Sequence, residues 1–259
     1  MVNVRMDASA LPPGEVAVTC WFAPTFARYT LPSRRSRSIT RMNASTSSGS
    51  TASVASATAR LLARGCAFRG GAIAEFPSVT LVNHTSALTG VGPGKHGIVN
   101  NAFYDRAAGE QVVPNSSENW HRSMSWLRPG VRTVFERVPA GTRTACVNDP
   151  VDVGATYSTF ALLREAGGNG TVSEFLPAIV DNPHASHEHV SENQDYAWGS
   201  KVDAAGLDQV LQLWSEDEPP RLMWWNTTLT DSGHHAGGPG SDIARASLRD
   251  ADARLGVWL

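Results

Sequence analysis

The chain has 259 residues, 41% hydrophobic and 18% charged, with a formal net charge of −2. That is enough apolar material for one large domain, and a near-neutral balance gives no electrostatic footprint for a nucleic-acid polymer or an anionic membrane. No apolar run approaches the roughly 18 residues of a membrane span, and no basic start followed by an apolar stretch marks a secretory signal, so a cytoplasmic location is expected. Cys20, Cys66 and Cys146 are far apart and odd in number. Without a CxxC spacing they read as thiols in a reducing compartment.

Residues 1–56 read as a low-complexity leader, expected to be disordered. Between Val16 and Ala74 there is no Asp or Glu, and "RRSRSITR" and "NASTSSGSTASVASATAR" lack apolar periodicity. Such composition also suits a transit peptide. Order is expected from Ala57, where "ATARLLARGCAF" places Leu61, Leu62 and Phe68 on one helical face and Gly65 can end the helix. "GAIAEFPSVTL" then reads as a strand with Pro77 near its end. Asn83 can cap a following helix, "HTSALTG", which stops at Gly90.

"GVGPGKHG" reads as a turn-rich loop. It is not a phosphate-cradling P-loop: Thr89 stands where the first glycine belongs, and Lys95 precedes His96 rather than Ser or Thr. Further on, "GVRTVFERV" predicts a short amphipathic helix, "TRTACVN" a buried strand and "TYSTFALLREAG" a helix. Residues 166–200 are polar and irregular, with His184, His187 and His189 in a solvated stretch. "VDAAGLDQVLQLWSE" is a helix and "PRLMWWNTTLT" an apolar strand. In "SDIARASLRDADARLGVWL", Ile243, Leu248, Ala251 and Leu255 share a helical face. Strands alternating with helices predict an α/β domain over 57–259 with a largely parallel sheet. Residues 104–130 and 166–200 are candidate insertions that cover a site, the latter cap-like.

Two polar clusters follow apolar segments, where open α/β sheets bind ligands. The first is Thr80, Asn83, His84 and Thr85. The second is "TDSGHHAGGPGS", residues 230–241, with Asp231 and His235 four apart. Asp plus His across a turn is a partial ligand set for Zn²⁺ or a related ion, and Gly233, Gly237 and Gly238 would let the chain bend around it. A solvated structural loop is the alternative. A hydroxyl such as that of Thr80 is a weak nucleophile until a metal or base activates it. His84 and His96 read as structural residues of their turns.

These residues carry a resemblance. "FPSVTLVNHTSALTGVGPGKHGIVNNAFYD" resembles the nucleophile segment of nucleotide pyrophosphatase/phosphodiesterases, in the alkaline phosphatase superfamily, and "DSGHHAGGPGS" resembles that family's second signature. The resemblance implies an α/β fold with an alkaline-phosphatase-like, largely parallel central sheet flanked by helices. It implies hydrolysis of phosphodiester, pyrophosphate or phosphonate bonds in a small-molecule substrate. Thr80 matches the nucleophile and a metal ligand, Asn101 the amide that binds a phosphate oxygen, and Asp231 and His235 two ligands of one zinc. A complete site holds two Zn²⁺, about 4 Å apart, clamping an in-line displacement.

The departures are specific. The early Asp-Gly of the family has no counterpart in "RMNASTSSGS", and Asp7 is too distant and lacks the glycine. The family's Asp-His pair and last His would follow Leu259. The domain is therefore expected to be incomplete at both ends, and the isolated chain to be poorly soluble or marginally stable. A catalytically inactive, truncated member of the family is the alternative function.

Overall fold

In the computed structural model, residues 56–64, 73–114, 119–165 and 192–259 are described. Residues 1–55 of the expected leader, Phe68 and the three histidines of 184–189 lie outside them. The centre is "TACV", a run of small and β-branched residues that forms β3 (Thr144–Val147), buried at all four positions. It is flanked in parallel by β4 (Tyr157–Ser158) and β5 (Leu222–Trp225), in the order β4-β3-β5. A separate antiparallel hairpin, β1 (Phe103–Asp105) and β2 (Glu110–Val112), turns at Gly109.

Strand side chains alternate between faces, and β3 distributes its residues accordingly. Cys146 enters a cluster with Leu81, Leu88, Ile98, Met124, Phe135 and Val151. Ala145 and Val147 enter another with Val210, Leu213 and Met223. The first cluster brings α2 (Thr80–Thr89) onto one face of the sheet. The second brings the long helix that precedes β5 onto the other. The expected α/β architecture with a parallel sheet is the one observed.

Among the described residues the helices are α1 (Ala57–Arg64), α2, α3 (Pro93–His96), α4 (Thr159–Glu165), α5 (Glu192–Trp214), α6 (Leu229–Gly237) and α7 (Asp242–Trp258). Two of them have carboxylate caps borrowed from elsewhere. Asp252 of α7 accepts the Ala57 and Thr58 N–H groups at the start of α1. Asp203 of α5 accepts those of Thr228 and Leu229 at the start of α6. Remote acids thus satisfy orphan helix donors and meet the positive end of each dipole.

Several local expectations are corrected. Residues 73–79 form no strand; Ile73 and Phe76 are exposed. Asn83 does not cap a helix that starts after it. The helix begins at Thr80, and the Asn83 side chain turns back to accept from Glu75 N–H and donate to Val79 O and Pro77 O. The approach segment therefore has its backbone groups satisfied by one amide instead of a neighbouring strand. "GVGPGKHG" contains the single turn α3, started by Pro93 and closed by Gly97 at φ 88°. "GVRTVFERV" reduces to one 3₁₀ turn, Val134–Glu136, held by a Thr133/Glu136 capping box. "TYSTF" begins as β4, and residues 192–200 are helical, the first turns of α5. On α7 the inward positions are Ala244, Ser247, Ala251 and Leu255, while Leu248 is exposed.

The cluster 230–241 is corrected most sharply. It is not a loop bent around an ion: through Gly237 it is the helix α6. Gly233 and Gly237 serve packing. A Cβ on Gly233 would lie 2.4 Å from Ser247 Oγ, and one on Gly237 would lie 2.6 Å from Ile243 Cγ2. Spaced four apart, the two glycines let α7 seat closely on α6. Gly199 does the same for α5, where a Cβ would meet Ser232 Oγ at 2.8 Å.

Candidate functional site

Thr80 is exposed at the first position of α2. Val79 precedes it in extended conformation and offers no side-chain cap, so the first N–H groups of the helix face outward without an intrahelical acceptor. One has been given a partner: Leu81 N–H donates to Asn101 Oδ1 at 2.9 Å. The structure thereby brings Asn101 beside Thr80 from twenty-one residues away. The NH₂ group of Asn101 has no hydrogen-bond partner among the described residues. Asn101 N–H itself donates to Asn100 Oδ1 at 2.8 Å, which fixes the local loop.

One turn after Thr80 stands His84. Its Nδ1 meets Asp149 Oδ2 at 2.8 Å. Asp149 is fully buried just beyond β3, and it also accepts from Trp224 Nε1 at 2.9 Å and from Val151 N–H at 2.9 Å. Burial opposes charge on the His84 ring, but the charge and hydrogen bond of Asp149, with a further pull from Asp231, hold its pKa above the ordinary value. His84 was expected to order a turn; it is instead a helical residue ion-paired to the sheet. His96 keeps its structural role. It is buried, its Nδ1 accepts Ile98 N–H at 3.1 Å, and its Nε2 lies 3.0 Å from Ser86 Oγ.

Asp231 lies in the first turn of α6 and His235 one turn on. Their Oδ1 and Nε2 atoms are 3.6 Å apart, and the side chains are 49% and 75% exposed, open to a ligand. His234 is turned elsewhere, with Nδ1 2.6 Å from Thr230 O. The pull of Asp231 on His84 links this pair electrostatically to the helix of Thr80. Among the described residues no three His, Cys, Asp or Glu side chains converge. Zinc takes three or four protein ligands, so Asp231 and His235 are a partial pair and do not fit a complete zinc site.

Residues 51–257 match the model of the type I phosphodiesterase / nucleotide pyrophosphatase family. The chain belongs to this family. Over 58 residues it is 41% identical to an uncharacterized pyrophosphatase/phosphodiesterase of Schizosaccharomyces pombe, covering 22% of this chain and 12% of that one. Among solved structures it is similar to phosphonoacetate hydrolase from Sinorhizobium meliloti, crystallised with phosphonoformate. There the identity is 24%, with 70% of this chain and 42% of the other covered and a TM-score of 0.43. It is also similar to murine ectonucleotide pyrophosphatase/phosphodiesterase 5, at 17% identity, 71% and 41% coverage and a TM-score of 0.44. The chain thus spans less than half the length of these relatives.

Asp149 and Asp203 were not singled out from the sequence. The signal for Asp149 was present: an acid in "CVNDP", directly after a buried strand, sits where a site residue or its support belongs. Asp203 carries no such signal, because its partners are backbone groups twenty-five residues away.

Proposed function

We propose that the chain hydrolyses phosphodiester, pyrophosphate or phosphonate bonds through Thr80. The observation that carries this reading is the grouping at the start of α2, where an exposed hydroxyl, a helix N-terminus without a cap from Val79 and the Asn101 amide come together. Thr80 Oγ1 would lose its proton to solvent and bond to phosphorus as the leaving group departs with the electron pair: the ester or anhydride oxygen, or the carbon of a phosphonate, which takes up a proton from water. Water would then attack phosphorus, break its bond to Thr80 Oγ1 and return a proton to that oxygen. The positive end of the α2 dipole and the Asn101 NH₂ group supply donors for the oxygens on which charge accumulates. Family membership supports the reaction class.

Asp231 and His235 would serve as two ligands of a metal such as Zn²⁺, and Thr80 as a third at a neighbouring ion. No step is assigned to a metal, because the described residues fall short of a complete site. That shortfall favours one second reading, a family member that binds phosphate esters without turnover. Assay with a p-nitrophenyl phosphodiester and added Zn²⁺ separates them. The primary reading expects turnover that Thr80→Ala abolishes. Equal turnover in both chains would sink the nucleophile assignment, and none in either, with substrate still bound, would support the second reading.

A further inference from the structure

We propose that His84 and Asp149 are positioning residues for Thr80: their ion pair fixes the roll of α2 on the sheet and so the direction of the Thr80 hydroxyl. The proposal rests on the reading of Thr80 as nucleophile. Helix α2 presents Leu81, Val82, Thr85, Leu88 and Thr89 inward. Apolar contact is non-directional and tolerates small rotations of a helix. The threonine hydroxyls add no outward tie, since Thr85 donates to Leu81 O and Thr89 to Thr85 O, both within α2. Ser86 meets His96 of the adjacent α3, and Leu81 meets Asn101 in the next loop.

Among the described residues, a polar link from α2 to the end of the central sheet is His84 to Asp149 at 2.8 Å. Asp149 is suited to hold it. Its Oδ2 lies 2.8 Å from His84 Nδ1 and accepts from Trp224 Nε1 of β5, and its Oδ1 accepts from Val151 N–H. One carboxylate therefore joins the nucleophile helix, the neighbouring strand and its own loop. Residues four apart share a helix face, so a rotation about His84 carries Thr80 with it. A misplacement of about 1 Å at a reacting group costs on the order of 10²-fold in rate.

The test uses the full chain with a p-nitrophenyl phosphodiester and Zn²⁺. Thr80→Ala against the unaltered chain first decides whether Thr80 carries turnover. Where it does, His84→Ala should lower kcat about 10²-fold with KM nearly constant. His84→Asn, whose side-chain N–H replaces Nδ1–H, should restore most of kcat. Unchanged kcat in His84→Ala overturns the proposal, as does His84→Asn being as slow as His84→Ala, which would place the need in the imidazole itself. Where the unaltered chain shows no turnover, amide hydrogen exchange decides. His84→Ala should speed exchange in the first turns of α2 by about tenfold or more while β3 amides keep their protection. Unchanged protection of α2, or equal loss in β3, overturns a local positioning role.

Discussion

Asn101 Oδ1 accepts the Leu81 N–H at 2.9 Å, which bonds the loop after α3 to the first turn of the helix that begins with Thr80. Its oxygen orients the helix start, and under the proposed mechanism its NH₂ group meets a substrate oxygen. Asn101→Ala removes both, and should cost about 1 kcal/mol of stability as well as turnover. Asn101→Asp keeps the acceptor but replaces the donor with a negative charge. It should retain the thermal transition of the unaltered chain and lose binding of inorganic phosphate. Calorimetry and a phosphate titration on the two variants check this.

The α6–α7 contact makes a second prediction. A Cβ on Gly233 would lie 2.6 Å from Ser247 Cβ and 3.2 Å from the Ile243 carbonyl oxygen. Neither is the end of a flexible side chain, so Gly233→Ala should destabilise by about 1–3 kcal/mol, as overpacking does. Ser247→Gly in the same chain should recover part of the loss. Urea midpoints of the single and double variants measure it. The same residues show what the sequence left open. Four glycines and two histidines in twelve residues are compatible with an ion-binding loop. The helix they form depends on α7 packing against them, a contact that periodicity within 230–241 does not contain.

Other parts were legible for identifiable reasons. "TACV" reads as a buried strand because four consecutive buried positions leave no polar face. Gly90 reads as a helix end because φ 69° there favours glycine. The strand expected at 73–79 failed because its amide partner, Asn83, is a side chain from the next helix. The Thr80 hydroxyl and the Asp231–His235 spacing stood out within their own polar clusters, whereas Asn101 was singled out only through the family resemblance. Asp149 and Asp203 act on groups far along the chain, which local pattern does not reveal.

Two buried groups give opposed pH dependences. Burial outweighs the Thr228 and Leu229 N–H bonds and pushes Asp203 up to about 6, from an ordinary 3.8. The folded state then binds more protons than the unfolded state in that window, so the contribution of Asp203 falls as pH rises from about 4 to about 6. Burial lowers His96 from 6.5 to about 4 against the pull of the Val82 carbonyl. There the unfolded state binds more protons, so its contribution rises from about pH 4 to 6.5. In Asp203→Asn, stability should climb with pH through this window more steeply than in the unaltered chain. In His96→Gln the climb should be lost or reversed. Urea midpoints across the window test the slopes, which are independent of each variant's overall stability.

Asp149 should tolerate no amide. With Val151 N–H on one oxygen and His84 and Trp224 on the other, either orientation of an Asn would set its NH₂ against a donor. Asp149→Asn should therefore destabilise by several kcal/mol, the usual cost of breaking a buried ion pair, measured by urea unfolding.

The most direct measurement concerns the bond that Thr80 is proposed to form. The chain is incubated with a p-nitrophenyl phosphodiester and Zn²⁺, quenched in acid, and its peptides are weighed by mass spectrometry. The account predicts a phosphoryl adduct on Thr80, absent from Thr80→Ala, with turnover lost in the same variant. Turnover that survives Thr80→Ala, or an adduct on another residue, would contradict it.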